Sequence, residues 1–268
     1  MRRNFPLVLA VVFTLGGSRL VFSDDLHGTA PVPASNQSAA TSDNAAAPES
    51  SNRNSENYRG FLLDLMEITQ REDYPTIVKA LHRQIDIVEG VGLSQRVLEA
   101  FHSVPIVVDE FGCIGNESLR KPPTTTPVVA GACYGARVPG NLANDEDISN
   151  GVIMRPITLA NYSEQRPIVL HELLHFYHAH IFPLGVEDPA IEFHYKVAGT
   201  IYQNGDAYVL RNEREFFAVT ASIFLYGNDD QHEPFTRAQL KEKQPDYYKY
   251  LVSLFGFDPA KGSLASAN

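Results

Sequence analysis

Residues 167–176 read Pro-Ile-Val-Leu-His-Glu-Leu-Leu-His-Phe and place two histidines, His171 and His175, four positions apart. Residues with this spacing lie on one face of an α-helix, so both imidazoles can reach the same ion. Glu172 lies beside them. The leading proline suits the first turn of a helix, which we expect to continue to about Phe182. This stretch therefore predicts a helix that presents two metal ligands and a carboxylate together.

The chemistry of these side chains favours zinc. Two neutral imidazoles suit Zn²⁺, and a neighbouring carboxylate can take a proton from a metal-bound water. The alternative is an exposed helix with two surface histidines. A catalytic zinc site needs a third protein ligand and one open position. A third histidine six residues after the second is excluded because Ile181 occupies that place. The remaining candidates are four acids further along the chain: Glu187, Glu192, Glu213 and Glu215.

A second helix is predicted to begin after Asn212 and to end at Gly227. Asn212 is a natural N-cap, and glycine suits the position just past a helix C-terminus. Glu215 falls where the acid of a capping box stands. From the local sequence it is therefore either a metal ligand or a capping residue. Glu213, in the same turn, either orients a ligand imidazole or stabilises the helix N-terminus by its charge.

These motifs together resemble a known group of enzymes. The histidine motif is followed later in the chain by Tyr208-x-x-x-Asn212-Glu213-x-Glu215-Phe216-Phe217-Ala218. The combination is similar to gluzincin metallopeptidases, more narrowly to the catalytic domain of anthrax toxin lethal factor and to the secreted Pro-Pro endopeptidases. The resemblance is strong over about residues 165–226 and weak elsewhere.

The resemblance implies roles that the residues alone leave open. It implies that Zn²⁺ is held by His171, His175 and Glu215. It implies that Glu172 is the general base and that Tyr208 polarises the scissile carbonyl or its oxyanion; a packed loop aromatic is the alternative for the tyrosine. It also implies a zincin-like α+β domain, with a small mixed sheet, the zinc helix and a following helix that carries the third ligand.

The first interpretation of function is a secreted zinc endopeptidase acting on a peptide or protein. A zinc-binding domain that does not hydrolyse and acts by binding a partner is the alternative, although Glu172 argues against it because a structural site does not need a general base. An enzyme that cleaves a non-peptide amide is a third possibility, since fold and metal do not choose the acyl substrate. Substrate preference and oligomeric state do not follow from the sequence.

The remaining segments predict an α+β fold, because helices, strands and helices follow one another in blocks. The predicted helices cover residues 59–70, 74–91 and 93–102, and most of the chain after 163. The predicted strands cover residues 105–109, 126–138 and 151–159. By analogy with the family, residues 151–156 form a sheet edge along which an extended peptide pairs. His178 shares the face of His171, and we interpret it as structural in preference to a substrate contact.

Composition excludes several classes of protein. The chain has 268 residues, of which 44% are apolar, and this excludes a fully disordered chain. Its formal charge of −10 makes it a poor nucleic-acid binder, which needs a basic face. With only two cysteines, it is not a disulfide-dense miniprotein. We expect Cys113 and Cys133 to form a disulfide in a secreted chain; two buried thiols are the alternative.

The N-terminal region is expected to lie outside the folded domain. Residues 1–23 combine an arginine pair, a short apolar run and a small residue before Asp24, which is typical of a secretory signal peptide, with an uncleaved anchor as the alternative. Residues 24–57 are rich in Ser, Ala and Asn and predict a disordered tail, with a pro-segment as the alternative. The zinc metallopeptidase domain is then expected over residues 58–268, extracellular or periplasmic, without stable membrane insertion.

Overall fold

The computed structural model describes residues 55–110, 113–115, 132–137, 151–161, 166–202 and 207–261. All of them belong to one unit that covers residues 50–268. The predicted signal peptide, and the predicted tail up to residue 54, lie outside the described residues. In the described part of the chain, no helix has the length and apolar character needed to cross a bilayer.

In the described parts of the chain, six short strands form one mixed sheet in the order β1-β2-β3-β6-β5-β4. The pairs β2–β3 and β3–β6 are parallel, whereas β1–β2, β6–β5 and β5–β4 are antiparallel. The strands are β1 Ser55–Tyr58, β2 Phe61–Asp64, β3 Ile106–Val108, β4 Cys113–Gly115, β5 Ala132–Arg137 and β6 Gly151–Met154. The small mixed sheet expected from the sequence is therefore present.

Eight α-helices accompany this sheet in the described residues, and six of them follow it in the chain. They are α1 Tyr74–Gly90, α2 Gln95–His102, α3 Pro156–Asn161, α4 Ile168–Phe176, α5 Pro189–Ile201, α6 Glu213–Tyr226, α7 Arg237–Lys243 and α8 Pro245–Phe255. This confirms an α+β architecture with a helical C-terminal half. The predicted helices after residues 74 and 93 are confirmed as α1 and α2.

The helix predicted over residues 59–70 is wrong. Arg59 and Gly60 both adopt positive φ, 50° and 92°, and make a tight turn between β1 and β2. In β2, Phe61 and Leu63 are buried while Leu62 between them is half exposed, which is the two-residue period of a strand. The apolar spacing in this stretch fits both the helical period and the two-residue period of a strand. The hairpin turn decides in favour of the strand. The folded region also starts earlier than expected, because β1 begins at Ser55.

The interpretation of residues 151–156 as a free sheet edge is also wrong. Strand β6 ends at Met154, and Pro156 begins α3 instead of continuing the strand to residue 159. Strand β6 pairs with β3 on one side and with β5 on the other. Its backbone groups are occupied by these neighbours, so it cannot pair with a peptide. The strand predicted over 126–138 is observed in the described residues as β5.

Helix α6 forms the centre of the helical layer. Every residue from Phe216 to Leu225 is buried, so the helix is covered on all sides. It packs against α4, α5, α7 and α8, while α4 also contacts α1 and β5. Helices α4 and α6 are thus fixed against each other and against the sheet inside one core.

The predicted disulfide can be checked at Cys133. This residue, in β5, takes part in a disulfide bond, and no free cysteine is found in the described part of the chain. Since the sequence contains only one other cysteine, Cys113, these observations agree with the predicted bond.

The central position of α6 predicts a large cost for opening a cavity there. Phe224→Ala should lower the free energy of unfolding by about 3–5 kcal/mol, as measured by urea denaturation of metal-free protein. Phe193→Ala is the control, because that ring is 62% exposed on α5 and its loss should cost less than about 1 kcal/mol. Equal losses in the two variants would contradict the described packing.

Candidate active site

The start of helix α4 is fixed by a side chain from α1. Gln84 is buried, and its Oε1 accepts the backbone N–H of Val169 at 3.3 Å. Its Nε2 donates to the carbonyl of Arg166 at 2.9 Å. Among the described residues, no side chain of the local sequence caps α4. Gln84 therefore satisfies one of the donors that a helix N-terminus leaves open.

Helix α4 brings the two predicted histidines together. It runs from Ile168 to Phe176 and continues as a wider π-helical turn over Tyr177–Ile181, so the chain stays helical almost as far as predicted. The Nε2 atoms of His171 and His175 lie 3.2 Å apart, and the rings are nearly perpendicular. Both rings thus present a nitrogen to one point in space.

Glu215 meets these nitrogens from the first turn of α6. The Asn212 side chain accepts the backbone N–H of Glu215 at 2.9 Å, so the predicted cap is present. The Glu215 carboxylate turns towards the histidines, with Oε2 3.3 Å from His171 Nε2 and 3.5 Å from His175 Nε2. Oε2 is buried and makes no hydrogen bond within the described residues. A buried oxygen without a partner is costly unless a cation satisfies it.

The three atoms have the geometry of one face of a tetrahedron. Their separations of 3.2, 3.3 and 3.5 Å form a nearly equilateral triangle. A tetrahedral ion with bonds of about 2.0–2.1 Å keeps its ligands about 3.4 Å apart, so the residues present fit such an ion. Donor atoms of His171, Glu172 and His175 also lie within 4.8 Å of one another, and this group could hold a metal.

Charge couples the members of this triangle. Burial would lower the pKa of His175, but the adjacent Glu215 carboxylate outweighs it and raises that pKa above its usual value. Burial would raise the pKa of Glu215, but the imidazoles of His171 and His175 lower it well below its usual range. Glu215 therefore stays ionised, as a metal ligand must be.

Glu172 is held at the junction of α4 and the sheet. Its side chain is buried, and Oε2 accepts the backbone N–H of Tyr134, in β5, at 2.9 Å. The Tyr134 hydroxyl lies 2.9 Å from Nε2 of His180, which gives a second link between β5 and the helical segment that continues α4. Within the described residues, no hydrogen bond occupies Glu172 Oε1.

Tyr208 begins a short 3₁₀ turn, Tyr208–Leu210, just before α6. Its ring centroid lies 6.3 Å from that of His171. Burial, together with the negative charges of Glu215 and Glu172, raises its pKa far above the usual value. The phenol therefore keeps its proton near neutral pH and can act there as a hydrogen-bond donor.

The other candidate residues lie apart from the triangle or have structural surroundings. Glu192 is exposed on α5 and pairs with Lys196 one turn later, and Glu187 ends a 3₁₀ turn in a loop. Glu213 is the first residue of α6. His178 is buried against Phe182 and Phe217, and burial, with the nearby charges, lowers its pKa to about 4. These surroundings agree with its structural interpretation.

Sequence reasoning missed four residues that support the site: Gln84, Tyr134, Asp229 and His232. Gln84 and Tyr134 reach α4 from distant parts of the chain, and Tyr134 does so through its backbone, so no local pattern marks them. Asp229 and His232 follow α6, three positions apart, and hydrogen-bond to each other. That spacing is the one signal that could have directed attention to this pair.

Comparison with known proteins gives one likeness. No family model and no curated protein matches the chain. The fold is similar to the structure of the Pro-Pro endopeptidase (PPEP-2) from Paenibacillus alvei, with 20% sequence identity and a TM-score of 0.44. The match covers 68% of this chain and 92% of that one. Such a likeness does not define an activity, because one fold hosts many activities.

The role of Gln84 in fixing α4 can be tested without metal. Gln84→Met keeps the volume but leaves the Val169 N–H buried without its partner, which should cost about 1–3 kcal/mol in unfolding free energy. Urea denaturation of chelated protein measures this loss. Gln95→Met is the matched control, since Gln95 is exposed and its side chain bonds Glu99 on its own helix. A neutral Gln84→Met variant would show that α4 does not depend on this contact.

Proposed function

We propose that the protein is a zinc-dependent endopeptidase that hydrolyses peptide bonds with Glu172 as its general base. The observation that carries this proposal is the triangle formed by His171, His175 and Glu215, with separations of 3.2 to 3.5 Å. Two nitrogens and one carboxylate oxygen are a ligand set of catalytic zinc sites, which keep a fourth position open.

Each residue near the triangle has a distinct role in this proposal. When bound, Zn²⁺ makes water acidic near neutral pH and polarises a carbonyl oxygen. Glu172 Oε1 takes the proton of the attacking water and returns a proton to the leaving amine. The Tyr208 phenol donates a hydrogen bond to the carbonyl oxygen as negative charge develops there. The Tyr134 amide holds Glu172 Oε2, so the carboxylate keeps one orientation during both proton transfers.

The arrangement favours hydrolysis over a purely structural metal. A structural zinc site has four protein ligands, whereas three donor atoms converge among the described residues. A structural site also has no need of a buried carboxylate held beside the metal face, as Glu172 is. The alternative is a domain that binds zinc and a partner without hydrolysis. The experiments below distinguish this alternative from the proposed endopeptidase.

We further propose that the chain is secreted and acts on extracellular or periplasmic peptides or proteins. The support for secretion is the sequence of residues 1–23, with its arginine pair, short apolar run and small residue before Asp24. The formal charge of −10 disfavours acidic substrates during diffusional encounter.

Replacement of the proposed base tests hydrolysis directly. Glu172→Gln should bind zinc normally but lower kcat/KM by about 10²–10⁴-fold, because it cannot accept the proton. Zinc-loaded residues 24–268 are incubated with a diverse peptide library, and cleavage is read by mass spectrometry. A chelated sample and Glu187→Gln, an acid remote from the triangle in sequence, are the controls. Cleavage that survives in Glu172→Gln would overturn the assignment of the base.

Replacement of the proposed third ligand tests the metal site. Glu215→Gln should weaken zinc affinity more than about 100-fold, since loss of an outer partner alone costs about 10–100-fold. Glu213→Gln is the matched control, because it removes a carboxylate from the same helical turn and should change affinity less than about threefold. Competition with a chromophoric chelator measures both. Equal affinities for the two variants would exclude Glu215 as a ligand.

A further inference from the structure

A histidine from the loop after α6 covers the ring of Tyr208. The ring centroids of Tyr208 and His232 are 4.5 Å apart, and their planes differ by 27°, so the two rings stack. On another side, the same tyrosine ring lies 6.3 Å from that of His171. The Arg211 guanidinium carbon lies 5.7 Å from the Tyr208 centroid. The position of the phenol is therefore defined by contacts with both histidines and with an arginine.

The His232 ring is itself anchored by a buried carboxylate. Its Nδ1 lies 2.9 Å from Oδ2 of Asp229, and the other carboxylate oxygen accepts the backbone N–H groups of Gln231 and His232. Asp229 is only 3% exposed. Burial would raise its pKa, but the contact with His232 and other charges hold it below the usual value. An ionised carboxylate can only accept, so Nδ1 of His232 carries the proton.

The opposite nitrogen of His232 faces the start of the zinc helix. Its Nε2 lies 3.4 Å from Nη2 of Arg166, while Nη1 of the same guanidinium donates to Oε1 of Gln231 at 2.7 Å. Arg166 lies two residues before α4, and its carbonyl accepts the hydrogen bond from Gln84. The loop that carries His232 is closed by backbone bonds from Asp229 to Phe235 and from Arg237 to Gly227.

We propose that His232 and Asp229 form a positioning pair that fixes the Tyr208 phenol against the zinc helix. The inference rests on the proposed function, in which that phenol donates to the developing oxyanion. Tyr208 lies in a short turn, so its own backbone defines the ring less firmly than a long helix would. Stacking against an anchored imidazole removes this freedom, and a misplacement of about 1 Å in an active site can cost about 10²-fold in rate.

The chain contains a matched control for this arrangement. His82 stacks on Tyr58 with centroids 3.8 Å apart, and its Nε2 lies 2.8 Å from a Glu56 carboxylate oxygen. This second set joins α1 to β1 and includes none of the zinc-triangle residues. His82→Ala therefore removes the same kind of interaction, a stacked imidazole with a carboxylate partner, and leaves the contacts of Tyr208 unchanged.

The first experiment is a double-mutant cycle on the full zinc-loaded protein. His232→Ala should lower kcat by about 10–100-fold and change KM less than about twofold. The reason is that the Tyr208 phenol donates its hydrogen bond to the oxyanion only in the transition state. In the Tyr208→Phe background, the same change should lower kcat less than about threefold. His82→Ala should leave kcat unchanged. An equal fall in both backgrounds would overturn the proposal, because His232 would then act independently of the phenol.

The second experiment does not depend on hydrolysis. 3-Fluorotyrosine is placed at position 208, and its ¹⁹F resonance is recorded with and without zinc. His232→Ala should shift this resonance. Asp229→Asn is a milder change that keeps the rings of His232 and Tyr208, and it should shift the resonance in the same direction. His82→Ala should not shift it. An unchanged resonance in folded His232→Ala, or in Asp229→Asn if the alanine variant does not fold, would overturn the positioning role.

The two experiments separate the inference from the function on which it rests. If no peptide is cleaved while the ¹⁹F resonance shifts as expected, the proposed endopeptidase activity fails and the positioning of Tyr208 stands. If peptides are cleaved while the resonance and the cycle show no dependence on His232, the activity stands and the positioning pair is wrong.

Discussion

The approach of His171 Nε2, His175 Nε2 and Glu215 Oε2 to within 3.5 Å of one another is the constraint on which the site depends. Three atoms with lone pairs are unfavourable at this distance in a buried place unless protons or a cation lie among them. The Glu215 carboxylate raises the pKa of His175 above its usual value and so favours a proton on that imidazole. Because a metal ligand must be a neutral imidazole, metal binding here would be coupled to pH and to folding.

The rest of the core keeps the triangle from relaxing apart. The two histidines lie on α4 and the carboxylate lies on α6, and these helices pack directly against each other. Helix α6 is buried on all sides from Phe216 to Leu225, so moving Glu215 away would require repacking of the whole helical layer. Glu172 and Gln84 add polar links from α4 to the sheet and to α1. The metal face is thus built on rigid elements and not on loops.

The sequence predicted those features that depend on local patterns. Helical spacing placed His171 and His175 on one face, and the cap at Asn212 set the start of α6. The helix expected over residues 59–70 is wrong because Arg59 and Gly60 form a hairpin turn. The two-residue period of the strand that follows this turn becomes evident only from the pairing in the sheet. Residues 151–156 were misjudged because strand order is non-local: β6 has neighbours on both sides. Gln84 and Tyr134 were missed for the same reason, since each reaches α4 across the fold.

Arg166 contacts two parts of the site, the start of α4 and the loop that carries His232. Its backbone carbonyl accepts a hydrogen bond from Gln84, which fixes the start of α4, while its guanidinium faces the loop that carries His232. The imidazole of His232 in turn stacks on Tyr208. A displacement of the α4 start would therefore disturb both His171 and the contact between Arg166 and His232. The proposed reaction requires a fixed distance between metal and oxyanion donor, because electrostatic stabilisation acts only where the charge develops. Arg166, two residues before α4, thus links the triangle of His171, His175 and Glu215 to Tyr208, although it is neither a ligand nor a proton donor in that reaction.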